Sequence, residues 1–434
     1  MQEKITLRLI PALIAVAFSG TASAAGFQLL EQNGSGLGNA YAGSAAVAEN
    51  ASTVYFNPAG MTQLQDREVS LGGAVIKTSY QFNNSGSSTG ALSGDSNGGV
   101  TGFVPNASMS WALTKDIYLG FGIGAPFGLK SEYDNPWTGA AQSVMFEIKT
   151  VNLNPSIAWR ATEWVSLGFG INYQRIEAEY VRAVAGTNAA LANSTATLKL
   201  TDSGSWGWNA GALFTLTPAT KIGVSYRSAI KHDLDGDVTV SGSAASALNA
   251  GGASSSTKAN VKLPDTFILS ATHKLNNDWE LLGDVSWTGW SSIPKIDIIR
   301  TSGIASGTIA QTLHTDFRDT WRFAVGANYR LNDQWKLKFG IAYDETPVKD
   351  PTTRLVSLPD NNRTWFSLGT QWKPSKTMTV DVGGAYLYVK DSEINNNQSV
   401  TVTNAATAAQ NRGTVKGTYE DSAWILGAQL SLAF

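Results

Sequence analysis

The sequence predicts an all-β fold: a transmembrane antiparallel β-barrel of fourteen strands with a short N-terminal helical hatch in the lumen. Three observations predict it. The chain opens on an export signal, apolar residues recur with a period of two along most of its length, and the connections alternate between very short and long.

The export signal is read from charge and size. Lys4 and Arg8 precede an apolar run from Leu9 to Phe18, and Ala22-Ser23-Ala24 has the small-x-small pattern of a signal-peptidase site, so residues 1–24 are expected to be cleaved off. The run is too short to span a bilayer as a helix, and nothing later approaches the ~18 consecutive apolar residues that a spanning helix needs. Only 15% of the 434 residues are charged, against roughly 25% in a soluble domain. A net charge of −2 provides no field for nucleic acid. The absence of cysteine removes disulfide, thiolate and Cys-zinc chemistry, and no metal or other cofactor is expected.

The period of two is clearest in the last strand, where Trp424, Leu426, Ala428, Leu430, Leu432 and Phe434 alternate with small or polar residues. Val165 to Gln174 and Trp335 to Asp344 repeat it. Alternation alone fits any half-buried sheet. Here the apolar face begins or ends in an aromatic residue beside a turn, at Trp111, Tyr118, Trp159, Trp164, Trp279, Tyr329, Trp335 and Trp372, which reads as an interfacial girdle.

The connections give the strand number. Six short turns lie at 114–116, 161–163, 218–220, 276–278, 332–334 and 374–376, and seven longer stretches centre on 85–99, 132–142, 185–203, 235–259, 291–315, 346–362 and 392–411. Six plus seven connections join fourteen strands, and the asymmetry is that of Gram-negative outer-membrane barrels, with long loops outside and turns in the periplasm. The barrel is expected over residues 67–434.

Residues 25–66 are not strand-like. Ser35 to Glu49 is dense in Gly and Ala and is expected to form a small-residue helix, while Asn57-Pro58-Ala59 places an N-cap before a proline at the first helical position. A disordered tail is the plain alternative. A lumen too wide for its own side chains to fill favours a plug.

At this point the chain resembles a known family. Ala25-Gly26-Phe27-Gln28-Leu29, Gly34 to Gly43 with Gly36, Gly38 and Tyr41, and Asn57-Pro58-Ala59 closely resemble the hatch of the FadL family of outer-membrane long-chain fatty-acid transporters. Phe103-Val104-Pro105-Asn106, Leu263-Pro264-Asp265, Asp344 to Val348 and Pro359 to Trp365 continue the likeness in order. The resemblance implies a fourteen-stranded barrel with a hatch, an interior hydrophobic pocket and lateral exit of substrate beside the third strand. It implies passive uptake of long-chain fatty acids by a monomer, and the alternative within the family is uptake of uncharged or aromatic hydrocarbons.

Parity assigns candidate residues independently. Arg182 and Arg318 fall on the inward face, as do Arg160, Arg227, Arg322, Lys338, Glu280, Asp284 and Asp381. Most are expected to brace wall and hatch as ion pairs. Arg182 and Arg318 match family positions with basic residues at the fatty-acid pocket, although the family pattern has lysine at the second, and Phe27 matches a phenylalanine that reaches that pocket. The strand from Ile117 to Lys130 contains Pro126, which removes a ladder donor, and Gly128, which permits a bulge. Both coincide with the family's lateral gap to outer-membrane lipid. No enzyme is expected, because a hydrolase needs a serine held against an oriented histidine. His232 and His273 fall on outward parity and His314 in a loop. An open general porin is disfavoured by the hatch.

Overall fold

The computed structural model describes residues 26–434 apart from 91, 185–193, 244, 246–253, 304, 404–406 and 408–409. The expected signal segment, residues 1–24, lies outside the described residues.

Fourteen antiparallel strands form the wall. β1 (Arg67–Asn84) and β2 (Thr101–Ala112) lead into β3, which is split into Ile117–Gly124 and Gly128–Glu132. β4 (Met145–Arg160), β5 (Val165–Val184) and β6 (Ser194–Thr217) follow. The next four are each in two pieces: β7 (Thr220–Arg227, Ile230–Ser241), β8 (Ser254–Leu263, Thr266–Lys274), β9 (Trp279–Thr288, Lys295–Arg300) and β10 (Ile309–His314, Thr320–Arg330). β11 (Trp335–Asp344), β12 (Arg363–Ser375), β13 (Met378–Val389, Ser392–Asn397) and β14 (Thr414–Ala433) complete it. Closure comes from β1 against β14, in register from Glu68 opposite Ala433 to Asn84 opposite Gly417. A closed ring leaves no edge for lipid to contact, which is the condition for a sheet to cross a membrane.

The outward face carries the apolar alternation and is bounded by aromatic residues. Trp335 stacks on Trp372 across β11 and β12 at the turn end, and Trp279 lies beside Tyr329. At the other end Tyr173 meets Trp206, and Tyr386 meets Trp424, with ring centroids 4.9 and 4.7 Å apart. Above this second girdle the outward residues turn ionic, with pairs Lys149–Glu147, Arg175–Glu177 and Lys199–Glu179. β4 to β6 therefore continue past the membrane into the extracellular space.

The single strand break expected at Pro126 is one of several. β7 to β10 are also interrupted, at 228–229, 264–265, 289–294 and 315–319. Pro264 and Pro294 lack ladder donors, and Asp316 is left-handed with φ 43°. The breaks in β7, β8 and β10 reverse parity, whereas β9 keeps its even residues inward on both sides; the reversals have two consequences below.

The hatch fills the lumen, but Ser35 to Glu49 is not a helix. It holds a three-residue 3-10 turn, Leu37–Asn39, after which Ala40 and Tyr41 take φ 48° and 57° and reverse the chain. A short α1 (Thr53–Phe56) and the 3-10 turn Pro58–Gln63 follow, and the side chain of Asn57 accepts a bond from Ala59 N as an N-cap does.

Candidate functional site

The N-terminal segment lies in the break of β3. Gly128 N donates to Phe27 O and Leu29 N donates to Pro126 O, both at 2.8 Å. Gln32 Nε2 donates to Ala125 O at 2.7 Å, and Thr150 Oγ1 serves both the Phe127 N–H and its carbonyl. The carbonyls of Ala125, Pro126 and Phe127 and the amides of Phe127 and Gly128 thus each find a partner away from β2, as burial demands. Next to the break, β2 pairs with β3 only from Ala107–Ile123 down to Ala112–Tyr118, while the upper part of β2 stays with β1 as far as Thr101–Lys77. The wall therefore parts between β2 and β3 above Ile123.

Above the segment lies a narrow apolar cavity. Phe27 closes its floor, its ring 4.8 Å from that of Trp290 and 5.9 Å from that of Phe127. Ile148, Ile176, Tyr180, Leu198, Leu234, Val261 and Leu313 are among its walls. A second cavity shares Tyr180, Leu198 and Ile298 with it and adds Arg182, Arg300 and Gln311. Each strand changes character as it climbs: Ile176 and Tyr180 give way to Arg182, Ile296 and Ile298 to Arg300, and Leu313 to Gln311. Gln311 Nε2 is buried with no hydrogen-bond partner among the described residues. Arg300 and Arg412 are near enough to act on Arg182 as like charges.

Arg318 is not in this cluster. It is exposed, its Nε donates to Thr346 O at 3.1 Å, and it lines neither cavity. Parity carried down from Arg322 fails because the chain between His314 and Thr320 is not a strand. The same error misplaced His232: the break at 228–229 turns it inward, fully buried, with Nδ1 2.7 Å from Asp202 Oδ2 and Nε2 facing Gln174. Arg300 and Gln311 were hidden inside 291–315, read as loop although Lys295–Arg300 and Ile309–His314 are paired strands. Ser96 stands in a G-x-S-x-G string, but its hydroxyl accepts from Asp134 N, and the imidazoles of His232 and His273 bond elsewhere.

The remaining inward charges hold the hatch. Lys338 Nζ meets Glu49 Oε1 at 2.6 Å, Asp381 Oδ1 at 2.9 Å and Ser35 O at 2.9 Å. Burial works against the Glu49 charge, but Lys338 and Lys336 outweigh it and hold the carboxyl well below the usual carboxylate range. Arg322 donates to Ala40 O, Arg160 to Thr62 O, and Arg227 to Tyr55 O while covering the Tyr55 ring. Gly36 O accepts from Asn39 N and Tyr41 N, and Tyr41 stacks on Phe56. Gly38 packs on Gly369, where a Cβ on Gly38 would fall 2.8 Å from the Gly369 Cα. Asn57 Nδ2 reaches Ala45 O and Ala212 O, tying hatch to wall, and Pro58 and Ala59 are buried against β5.

Known proteins resemble this chain in sequence and in fold. The family model "Outer membrane protein transport protein (OMPP1/FadL/TodX)" matches residues 15–434. Outer membrane protein P1 of Haemophilus influenzae is 31% identical over 414 residues, 85% of this chain and 87% of that one. The long-chain fatty acid transport protein of Salmonella typhi is 30% identical over 459 residues, covering all of both chains. In structure, a Pseudomonas aeruginosa FadL homologue superposes with TM-score 0.82 at 22% identity, covering 94% of this chain and 99% of that one. The Pseudomonas putida toluene transporter TodX superposes with TM-score 0.67 at 14% identity, covering 93% and 98%. A closed barrel with a seated hatch, matched over nearly its whole length by one family model, places this chain in the FadL/TodX family of outer-membrane transport proteins.

Proposed function

We propose that this transporter takes up long-chain fatty acids passively as a monomer, holding the tail in the apolar cavity and the carboxylate at Arg182, Arg300 and Gln311, and releasing the ligand sideways between β2 and β3. The observation that carries the reading is the buried, unpartnered amide nitrogen of Gln311 beside two guanidinium groups at the end of an apolar cavity. A donor left unpaired there costs free energy that a carboxylate recovers. Arg318 does not belong to this head-group set.

The second reading, uptake of an uncharged aromatic as by the toluene transporter relatives, uses the apolar cavity and leaves the cationic end without a role. The two separate in one experiment. Replacing both Arg182 and Arg300 by Ala is expected to weaken binding of palmitate by about tenfold to a hundredfold, while hexadecanol changes little. Fluorescence displacement with both ligands reads the difference. Equal losses, or none, refute the head-group assignment.

A further inference from the structure

We propose that the lipid-facing wall carries a site for a phosphorylated glycolipid of the outer leaflet, its acyl chain lying in a gap above Gly384 and its phosphate on Lys77. Cross-strand register sets five outward positions in one row, Phe339, Leu368, Gly384, Leu426 and Val75. The next row toward the extracellular side is Ile341, Phe366, Tyr386, Trp424 and Lys77. In the lower row Gly384 alone has no side chain, and it sits between two leucines. The result is an open groove in the barrel's outer face, lined almost wholly by apolar atoms.

Folding does not call for glycine at this position. A Cβ built on Gly384 meets nothing nearer than the Ile425 carbonyl oxygen at 3.6 Å, an ordinary contact, and its φ is not left-handed. What the missing side chain creates is space on the membrane side. The rings of Tyr386 and Trp424, 4.7 Å apart, close the upper end at the outer aromatic girdle, the level at which headgroups begin.

Lys77 makes that end selective. It is exposed, it is the one charged residue in the two rows, and it has no hydrogen bond or ion pair among the described residues. Its cross-strand neighbours are Trp424 and Thr101. The outward carboxylate above it, Glu420, accepts from Asn83. An ammonium with no anion of its own, at the outer rim of an acyl-sized groove, is complementary to a lipid phosphate. A second copy of the chain is the poorer occupant, since symmetric docking on this face buries an uncompensated Lys77 in each copy.

The test uses full-length protein purified from outer membranes in mild detergent. Native mass spectrometry and lipid extraction are applied to the parent, to Gly384→Leu, which fills the gap, and to Lys77→Gln, with heat-modifiable gel mobility confirming that each barrel is folded. Delipidated samples are then titrated with purified lipid A or with phosphatidylethanolamine. The parent is expected to retain lipid A, and each variant about fivefold less. The proposal is overturned by absence of retained lipid, by equal retention in all three, by phosphatidylethanolamine binding as well as lipid A, or by a parent dimer that Gly384→Leu converts to a monomer.

Discussion

Phe27 and Gln28 are neighbours that face different environments. Phe27 seals the apolar cavity, whereas Gln28 exchanges hydrogen bonds with Thr266 and Thr288 in a separate cavity that also contains Arg227, Arg322 and Asp344. Alternation along an extended segment makes two consecutive side chains a partition. The same segment supplies the backbone partners of Pro126 and Gly128, so loosening Phe27 is expected to loosen the break in β3. Phe27→Ala removes a buried ring worth about 3–5 kcal/mol, while the barrel ladders are untouched. Hydrogen exchange is expected to show the Gly128 amide losing protection by about a hundredfold or more, with β11 to β14 unchanged. Undiminished protection at Gly128 would show that the ring does not hold the segment.

At the scale of elements, the hatch stays in place through close approach and charge together. Gly38 against Gly369 lets backbone meet backbone, and the Lys338 cluster sits directly beside that contact, with Lys338 Cβ 3.0 Å from the position of a Gly38 Cβ. Gly38→Val is expected to lift the hatch from β11 and β12 without opening the barrel. Limited proteolysis should then cut within residues 30–60 while heat-modifiable gel mobility is retained; a hatch as resistant as the parent's counts against the contact. How much of this was legible differs by element. Strand alternation was readable because lipid outside and a polar lumen inside impose opposite demands on adjacent residues, and Asn57-Pro58 was readable because capping is local. The breaks in β7, β8 and β10 were not, since they leave the composition unchanged but reverse parity, which turns His232 inward and takes Arg318 off the inward face; Arg300 lies instead in the stretch 291–315, whose composition reads as loop although Lys295–Arg300 is a paired strand. The reversal at Ala40 and Tyr41 was hidden for another reason: alanine and tyrosine rarely take positive φ, and here the fit to the wall imposes it.

For the molecule as a whole, the proposed sideways release rests on where a hydrocarbon tail is stable. Delivery into the periplasm hydrates the whole tail, at about 0.8 kcal/mol per methylene, or on the order of 10 kcal/mol for a sixteen-carbon chain. Sideways release between β2 and β3 keeps those methylenes in an apolar medium. The wall there parts because Pro126 cannot donate to β2 and because the N-terminal segment has taken the bonds that a continued ladder would use. Extending the observed register sets Val104 opposite Pro126 and Gly102 opposite Gly128. Replacing Pro126 by Thr and Gly128 by Val restores a donor and adds strand propensity. The new side chain at position 128 meets Leu29 Cδ1, which a Cβ there would approach to 2.9 Å, and pushes the N-terminal segment out of the break. With the ladder closed, uptake of labelled fatty acid by cells is expected to fall toward that of cells lacking the protein. Head-group binding should persist in weakened form, because Arg182, Arg300 and Gln311 lie on β5, β9 and β10, although the displaced Phe27 no longer floors the apolar cavity. Uptake at the parent rate, with surface expression matched and the wall sealed, would mean that the ligand crosses past the hatch instead.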